Sequence, residues 1–209
     1  MASGRPLLIA LGGPGEWDEK LVGGKAAKLA RLAVADFEVP KGFCLTTRAY
    51  EAFVNDAGIA PSIRMELGRK SMDDMRWEEI WDIALRIRAK FLAQPLSALL
   101  RETVAEGLRG FDPSVPLAVR SSAVGEDSAG RSFAGLHESI IGVRGGQAME
   151  DAIRLVWASL WSDAALLYRK ELGLDPAHSR MAVLVQEMID AEPSGVAFAR
   201  DPRDTRREH

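Results

Sequence analysis

Two glycines run directly into a lysine in "VGGKAAKL", Val22 to Leu29. A helix opening near Gly24 would set Lys25 beside free amide donors and a positive end potential, which together can hold a phosphate. The Gly-x-x-x-x-Gly-Lys-[Ser/Thr] spacing of a P-loop is absent, and the same residues also read as a charge on a solvated helix face. A second cation, Arg120, closes the apolar run "PLAV". Its planar five-donor fork can reach past a sheet edge, and each charge-assisted bond to a phosphate would contribute about 1.5–3 kcal/mol. The alternative is a structural ion pair with Glu126 or Asp127. Around Arg120 lies "LAVRSSAVGEDSAGRSFAGLHES", in which Gly125, Gly130 and Gly135 alternate with Ser121, Ser122, Ser128 and Ser132. Such a permissive backbone with small hydroxyl side chains suits an anion cradle, and equally a plain surface loop.

The remaining chemistry-bearing residues assemble into nothing further. His137, His178 and His209 do not combine with a nucleophile and an orienting acid. Glu126, Asp127, Asp190, Glu192 and Asp201 lack the spacing of a cation loop, so no metal site is expected in this chain. Cys44 is the single cysteine, which rules out an intrachain disulfide and a cysteine-based zinc site, and it reads as a small buried apolar residue.

The elements that must position these residues follow from periodicity and turn chemistry. Leu7 to Leu11 predicts a first strand stopped by "GGPGEW", followed by a helix with Ala26, Leu29, Leu32 and Ala33 on one face. "VPKGFCLTT" predicts a strand entered through Pro40, with Thr47 capping a helix that stops at Gly58. From Ile63 to Leu108 the pattern is helical. Its clearest stripe is Trp77, Ile80, Trp81, Ala84, Ile87, Phe91 and Leu92, and both tryptophans are assigned to the core. "SIIGVRG" predicts another strand, and Met149 to Leu172 a long amphipathic helical segment carrying Ile153, Val156, Trp157, Leu160, Trp161 and Leu167. The near-continuous apolar run Met181 to Ile189 predicts a strand covered on both faces, and "SGVAFARDP" one more strand closed at Asp201-Pro202.

The chain has 209 residues, 47% of them apolar and 27% charged, which is ample for a folded core. Its formal charge of -3 gives no electrostatic case for nucleic acid or an anionic membrane surface. "PLLIALGG" is too short to span a bilayer and lacks the layout of a signal peptide, so a cytoplasmic protein is expected. A last strand with no returning partner suggests a piece of something longer, with an uncovered edge near Ala197.

Three segments in fixed order carry a resemblance: "LVGGKAAKLARL…VPKGFCLTTRAYEAF", "AVRSSAVGEDSAGRSFAGLHES" and "VLVQEMIDAEPSGVAFARDP". Together they resemble the N-terminal ATP-grasp type domain shared by phosphoenolpyruvate synthase, pyruvate phosphate dikinase and rifampicin phosphotransferase. The resemblance implies an α+β nucleotide-binding lobe with a mixed or antiparallel sheet, packed helices and a helical insertion, incomplete at its C-terminus. Its parts would be 1–59 with the lysine, 60–112 helical, 113–180 with the arginine and glycine-rich loop, and 181–209 with the adenine-side strand. The segment from Ala60 to Phe111 adds almost nothing to the match.

By that resemblance Lys25 and Arg120 hold the ATP phosphates during transfer. Gly135, Leu136, His137, Glu138 and Ser139 fold over the phosphates with backbone donors. Gln186, Glu187, Met188 and Ile189 form the strand whose main chain reads the adenine edge, with Glu187 reaching toward the ribose. Leu136 departs from the glutamine that often follows "FAG" in phosphoenolpyruvate synthases, which weakens a side-chain contact there. The family's magnesium ligands, its phosphohistidine domain and its acceptor domain would all lie outside this chain. The implied activity passes the β-phosphoryl group of ATP to that histidine and on to an acceptor. A non-catalytic nucleotide-binding module and a purely structural domain are the other classes. Without ATP, the loop from Gly125 to Gly135 is expected to be mobile or displaced.

Overall fold

Met181–Glu187 is apolar at nearly every position, and its first six residues are all buried, as a strand with a neighbour on each edge and cover on both faces must be. The computed structural model describes residues 6–13, 17–125, 135–193 and 195. Among these the elements run β1 (Leu8–Ala10), α1 (Glu19–Val34), β2 (Gly42–Leu45), α2 (Thr47–Asp56), α3 (Ile59–Leu67), α4 (Trp77–Ala93), α5 (Ala98–Leu108), β3 (Leu117–Ala123), β4 (Ser139–Val143), α6 (Gly146–Ser159), α7 (Asp163–Glu171) and β5 (Met181–Glu187). Short 3-10 turns occupy Met72–Asp74 and Pro176–His178. The strands form one sheet in the order β1-β2-β5-β3-β4 with every neighbouring pair antiparallel, an α+β lobe of the expected kind.

Alternation along the strands divides the core in two. Phe43, Leu45, Leu117, Val119, Met181, Val183 and Val185 face the helices α2 and α4 to α7. Cys44, Ala182 and Leu184 face α1, which covers them with Leu21, Val22, Ala26 and Ala27. The larger cluster is anchored by aromatics: Phe53 stacks on Trp157 at 5.1 Å, and Trp161 Nε1 donates to the Tyr50 hydroxyl at 3.0 Å. Burial pushes the Cys44 thiol up, so it sits in the core as a neutral apolar group.

Several local expectations are corrected. Thr46, not Thr47, caps α2 by accepting from Arg48 N at 3.3 Å, while the Thr47 hydroxyl donates to the Lys20 carbonyl at 3.0 Å. Leu32 lies exposed, because α1 turns Leu21, Val22, Ala26, Ala27 and Ala30 inward and leaves Leu32 on its outer side. Met149 to Leu172 is helical as expected and divides into two helices, with Ser162 accepting from Ala165 N to start the second. Trp77 and Trp81 are 57% and 46% exposed and Leu92 is exposed as well; α4 buries Ile80, Ile83, Ala84, Ile87 and Phe91 instead. The expected strand over residues 194–202 and the edge near Ala197 lie outside the described residues. Among the described residues no helix is long and apolar enough to cross a membrane.

Candidate functional site

The local sequence around Lys25 explains its placement. Asp18 caps α1 by accepting from Lys20 N, but the helix is interrupted at Gly23, whose φ of 74° and ψ of 168° suit glycine alone. Helical geometry restarts at Gly24, as the glycine pair suggested. The break lets α1 press onto β3: a Cβ at position 23 would fall 2.0 Å from the Ser122 carbonyl oxygen. One freed amide is used at once, since Ala26 N donates to the buried Ser122 Oγ at 3.1 Å. Lys25, the residue before Ala26, donates from Nζ to Ser121 Oγ at 3.3 Å. It is half-buried and held, not a freely solvated charge.

Arg120 is aligned with Ser139 on β4 and Leu184 on β5, and strand alternation puts it on the same face as Ser122, the face that α1 covers farther along the sheet. Its side chain is exposed and makes no ion pair or hydrogen bond among the described residues. Glu126 and Asp127, the alternative partners, lie outside those residues. The same holds for 126–134 as a whole, so the expectation of a displaced glycine-rich loop falls there too.

The far end of that segment is described. Gly135 has φ 77°, and Leu136, His137 and Glu138 lead into β4 at Ser139, opposite Arg120. Both ring nitrogens of His137 are buried. Burial pushes its pKa down to about 4, helped by the positive charges of Arg169 and Lys25 and partly offset by the Ser159 backbone. His137 is therefore a neutral ring within the field of two cations. Arg169 is itself buried, with Nη1 donating to the Leu160 carbonyl at 2.8 Å, and burial lowers its pKa to about 10. Arg169 also lines a cavity of about 320 Å³ at the end of β3 with Ala123, Val124 and Gly125.

The strand expected on the adenine side, β5, ends beside the first residues of β3. Gln186 lies opposite Ala118, diagonal to Arg120 on the same face, with Nε2 donating to the Pro40 carbonyl at 3.3 Å. Glu187 N donates to the Lys41 carbonyl at 2.9 Å and Met188 N to the Pro116 carbonyl at 3.0 Å. Those two amides are therefore occupied within the chain. Ile189 is 65% exposed beyond the end of β5. Gly142 N lies 3.0 Å from Met188 Sδ, which brings Met188 beside β4.

The structure thus brings Lys25, Arg120, His137 and Ser139 to the second half of β3, while the end of β5 lies beside its first residues, Leu117 and Ala118. Sequence reasoning missed Ile141, 70% exposed on β4 and two residues beyond Ser139, which adds apolar surface beside Arg120. It also missed Arg169, which periodicity hides inside a helix.

The fit of these groups to a nucleoside triphosphate is chemical: an exposed guanidinium with no partner among the described residues, a held ammonium, and exposed aliphatic side chains for a base. Among the described residues no group of three or more His, Cys, Asp or Glu could hold a metal ion.

Comparison with known proteins gives a consistent result. Residues 19–209 match the family model described as pyruvate phosphate dikinase, AMP/ATP-binding domain. The chain is 38% identical to a phosphoenolpyruvate synthase of Aeropyrum pernix, over 87% of this chain and 23% of that protein. It is 32% identical to a probable phosphoenolpyruvate synthase of Methanothermobacter thermautotrophicus, over 90% of this chain and 28% of that protein. It is also 34% identical to a rifampicin phosphotransferase of Bacillus cereus, over 87% of this chain and 21% of that protein. The chain therefore spans between about a fifth and three-tenths of the length of these relatives.

Proposed function

The chain belongs to the pyruvate phosphate dikinase AMP/ATP-binding domain family, and we propose that it is the ATP-binding portion of a dikinase-like phosphotransferase. In this reading the β-phosphoryl group of ATP passes to a histidine on a separate swivelling domain and then to an acceptor such as pyruvate. The observation that supports it is the placement of the exposed Arg120 fork opposite Ser139, where Lys25 and the root of the glycine-rich segment converge on β3.

ATP would supply the transferred group, and Mg2+, held by residues of the parent outside this chain, would neutralise its phosphates. The chain's own residues then divide the work. Arg120 binds phosphate oxygens with paired donors, and Lys25, steadied by Ser121, adds a point charge. Neutral His137 adds no charge of its own beside them. Ile141, Met188 and Ile189 offer apolar surface to the base, and the main chain beyond Met188 remains to read its edge. The same reading makes the protein cytoplasmic and gives nucleic acid and membranes no role. A rifampicin-type antibiotic as acceptor is the second reading, motivated by the similarity to the Bacillus cereus enzyme.

Half of the cleft would lie outside this chain, so alone it is expected to bind ATP weakly and turn none over. Calorimetric titration with ATP and Mg2+ checks this, and micromolar affinity or turnover by the chain alone would contradict it. In the parent enzyme, Lys25→Ala and Arg120→Ala are each expected to weaken ATP binding about tenfold or more and to suppress phosphohistidine formation. Unchanged affinity in both variants would remove the site assignment.

A further inference from the structure

The glycine-rich segment, taken as a phosphate loop as above, needs a fixed root if its amides are to meet a ligand held by Lys25 and Arg120. That root is Glu138, the last residue before β4. Directly after it, Ser139 is aligned with Arg120; directly before it, His137 lies in the field of Lys25 and Arg169. Its position therefore sets the distance between loop and cations.

Two side chains hold Glu138, and both come from helices outside the site. Glu138 N donates to Ser159 Oγ at 3.1 Å, and the buried Ser159 hydroxyl in turn donates to the Val156 carbonyl at 2.7 Å. This uses up an amide that a phosphate would otherwise contact. The Glu138 carboxylate meets Arg88 of α4, Nη2 to Oε1 at 3.2 Å. Arg88 sits between Ile87 and Phe91, both fully buried, so the backbone that carries it is fixed by the core. Global stability gives little reason for the pair: the two side chains are 30% and 42% exposed, and pairs of that kind add little to folding.

We propose that Arg88 and Glu138, with Ser159, are positioning residues that fix the root of the phosphate loop relative to Lys25 and Arg120. The helical region between α3 and β3 thereby contributes to nucleotide affinity without touching the nucleotide. The proposal rests on the reading of this segment as phosphate-binding.

Four variants of the parent enzyme test it: Arg88→Ala, Glu138→Gln, their double variant, and Arg88→Lys. One readout is amide hydrogen exchange over residues 135–139 without nucleotide; the other is ATP affinity. Each of the first two is expected to speed exchange there and weaken ATP binding about threefold or more, while the double variant is no worse than either single, because one interaction is lost in all three. Arg88→Lys should recover most of the affinity, and the unfolding midpoint should hardly move. If Lys25→Ala loses ATP affinity while Arg88→Ala and Glu138→Gln leave exchange and affinity unchanged, the positioning role is wrong and the phosphate reading stands. If Lys25→Ala and Arg120→Ala are also without effect, the phosphate reading fails and takes this proposal with it. Should Arg88→Ala fail to fold, Glu138→Gln decides alone.

Discussion

His137 shows how a residue's setting determines its protonation. Its imidazole is buried, and its nearest strong charges are positive, so the folded protein holds the neutral form well below the usual histidine range, at about 4. The unfolded chain, with a pKa near 6.5, takes up a proton first as the pH falls. Stability from this group is therefore complete above pH ~6.5 and drains away between there and pH ~4, a loss on the order of 3 kcal/mol. Denaturant midpoints of the wild type and His137→Gln, compared from pH 7.5 downward, should converge or cross across that window; parallel curves would show that the ring titrates normally. Little of this was legible in the sequence, where His137 was one residue among glycines and serines. Lys25 and Arg120 stood out through their flanks, a glycine pair and a strand end, because helix starts and strand ends leave local marks. Arg88 and Arg169 left none: each is an ordinary helical arginine until tertiary packing brings it to residues far along the chain.

At the scale of elements, the glycine pair before Lys25 has a sharper meaning than helix initiation. Gly23 breaks α1 so that a new N-terminus faces β3, and Ser122 on that strand satisfies the first amide it exposes. Contact and backbone conformation both exclude a side chain there, since the Ser122 carbonyl would lie 2.0 Å from a Cβ and φ is 74°. Gly23→Ala is expected to cost about 2 kcal/mol or more in urea unfolding and to displace Lys25. Gly58→Ala is the comparison, also left-handed but with open space around it, and should cost only about 1 kcal/mol from backbone strain. Equal losses at the two sites would mean that the close approach of α1 to β3 is unimportant. Strand β5 was legible for the complementary reason: a central strand buried on both faces must be apolar throughout, whatever its neighbours. The cap of α2 was misplaced by one residue, because Thr46 and Thr47 are adjacent and only geometry decides which oxygen meets the helix amide.

At the scale of the whole molecule, periodicity showed that α4 has an apolar face but overestimated how much of it is covered. The residues Trp77, Ile80, Trp81, Ala84, Ile87, Phe91 and Leu92 span a broad arc, whereas α3, α6 and α7 cover only the part centred on Ile83, Ile87 and Phe91. Sequence patterns define such an arc but not which of its edges meets a neighbour. The aromatic core is supplied instead by Trp157 and Trp161, whose indoles close over Tyr50, Phe53 and Phe91. Trp157 should therefore separate cleanly from Trp77 and Trp81 by mutation. Replacing the fully buried Trp157 with Ala is expected to remove about 3–5 kcal/mol, and Trp157→Phe less, whereas Trp77→Ala and Trp81→Ala should each cost within about 1 kcal/mol. Urea titrations followed by circular dichroism measure all four on one scale. The assigned core requires the order Trp157→Ala, then Trp157→Phe, then the two α4 variants; a Trp81→Ala loss as large as that of Trp157→Phe would mean that the exposed edge of α4 is packed in solution, and the description of this face would have to change.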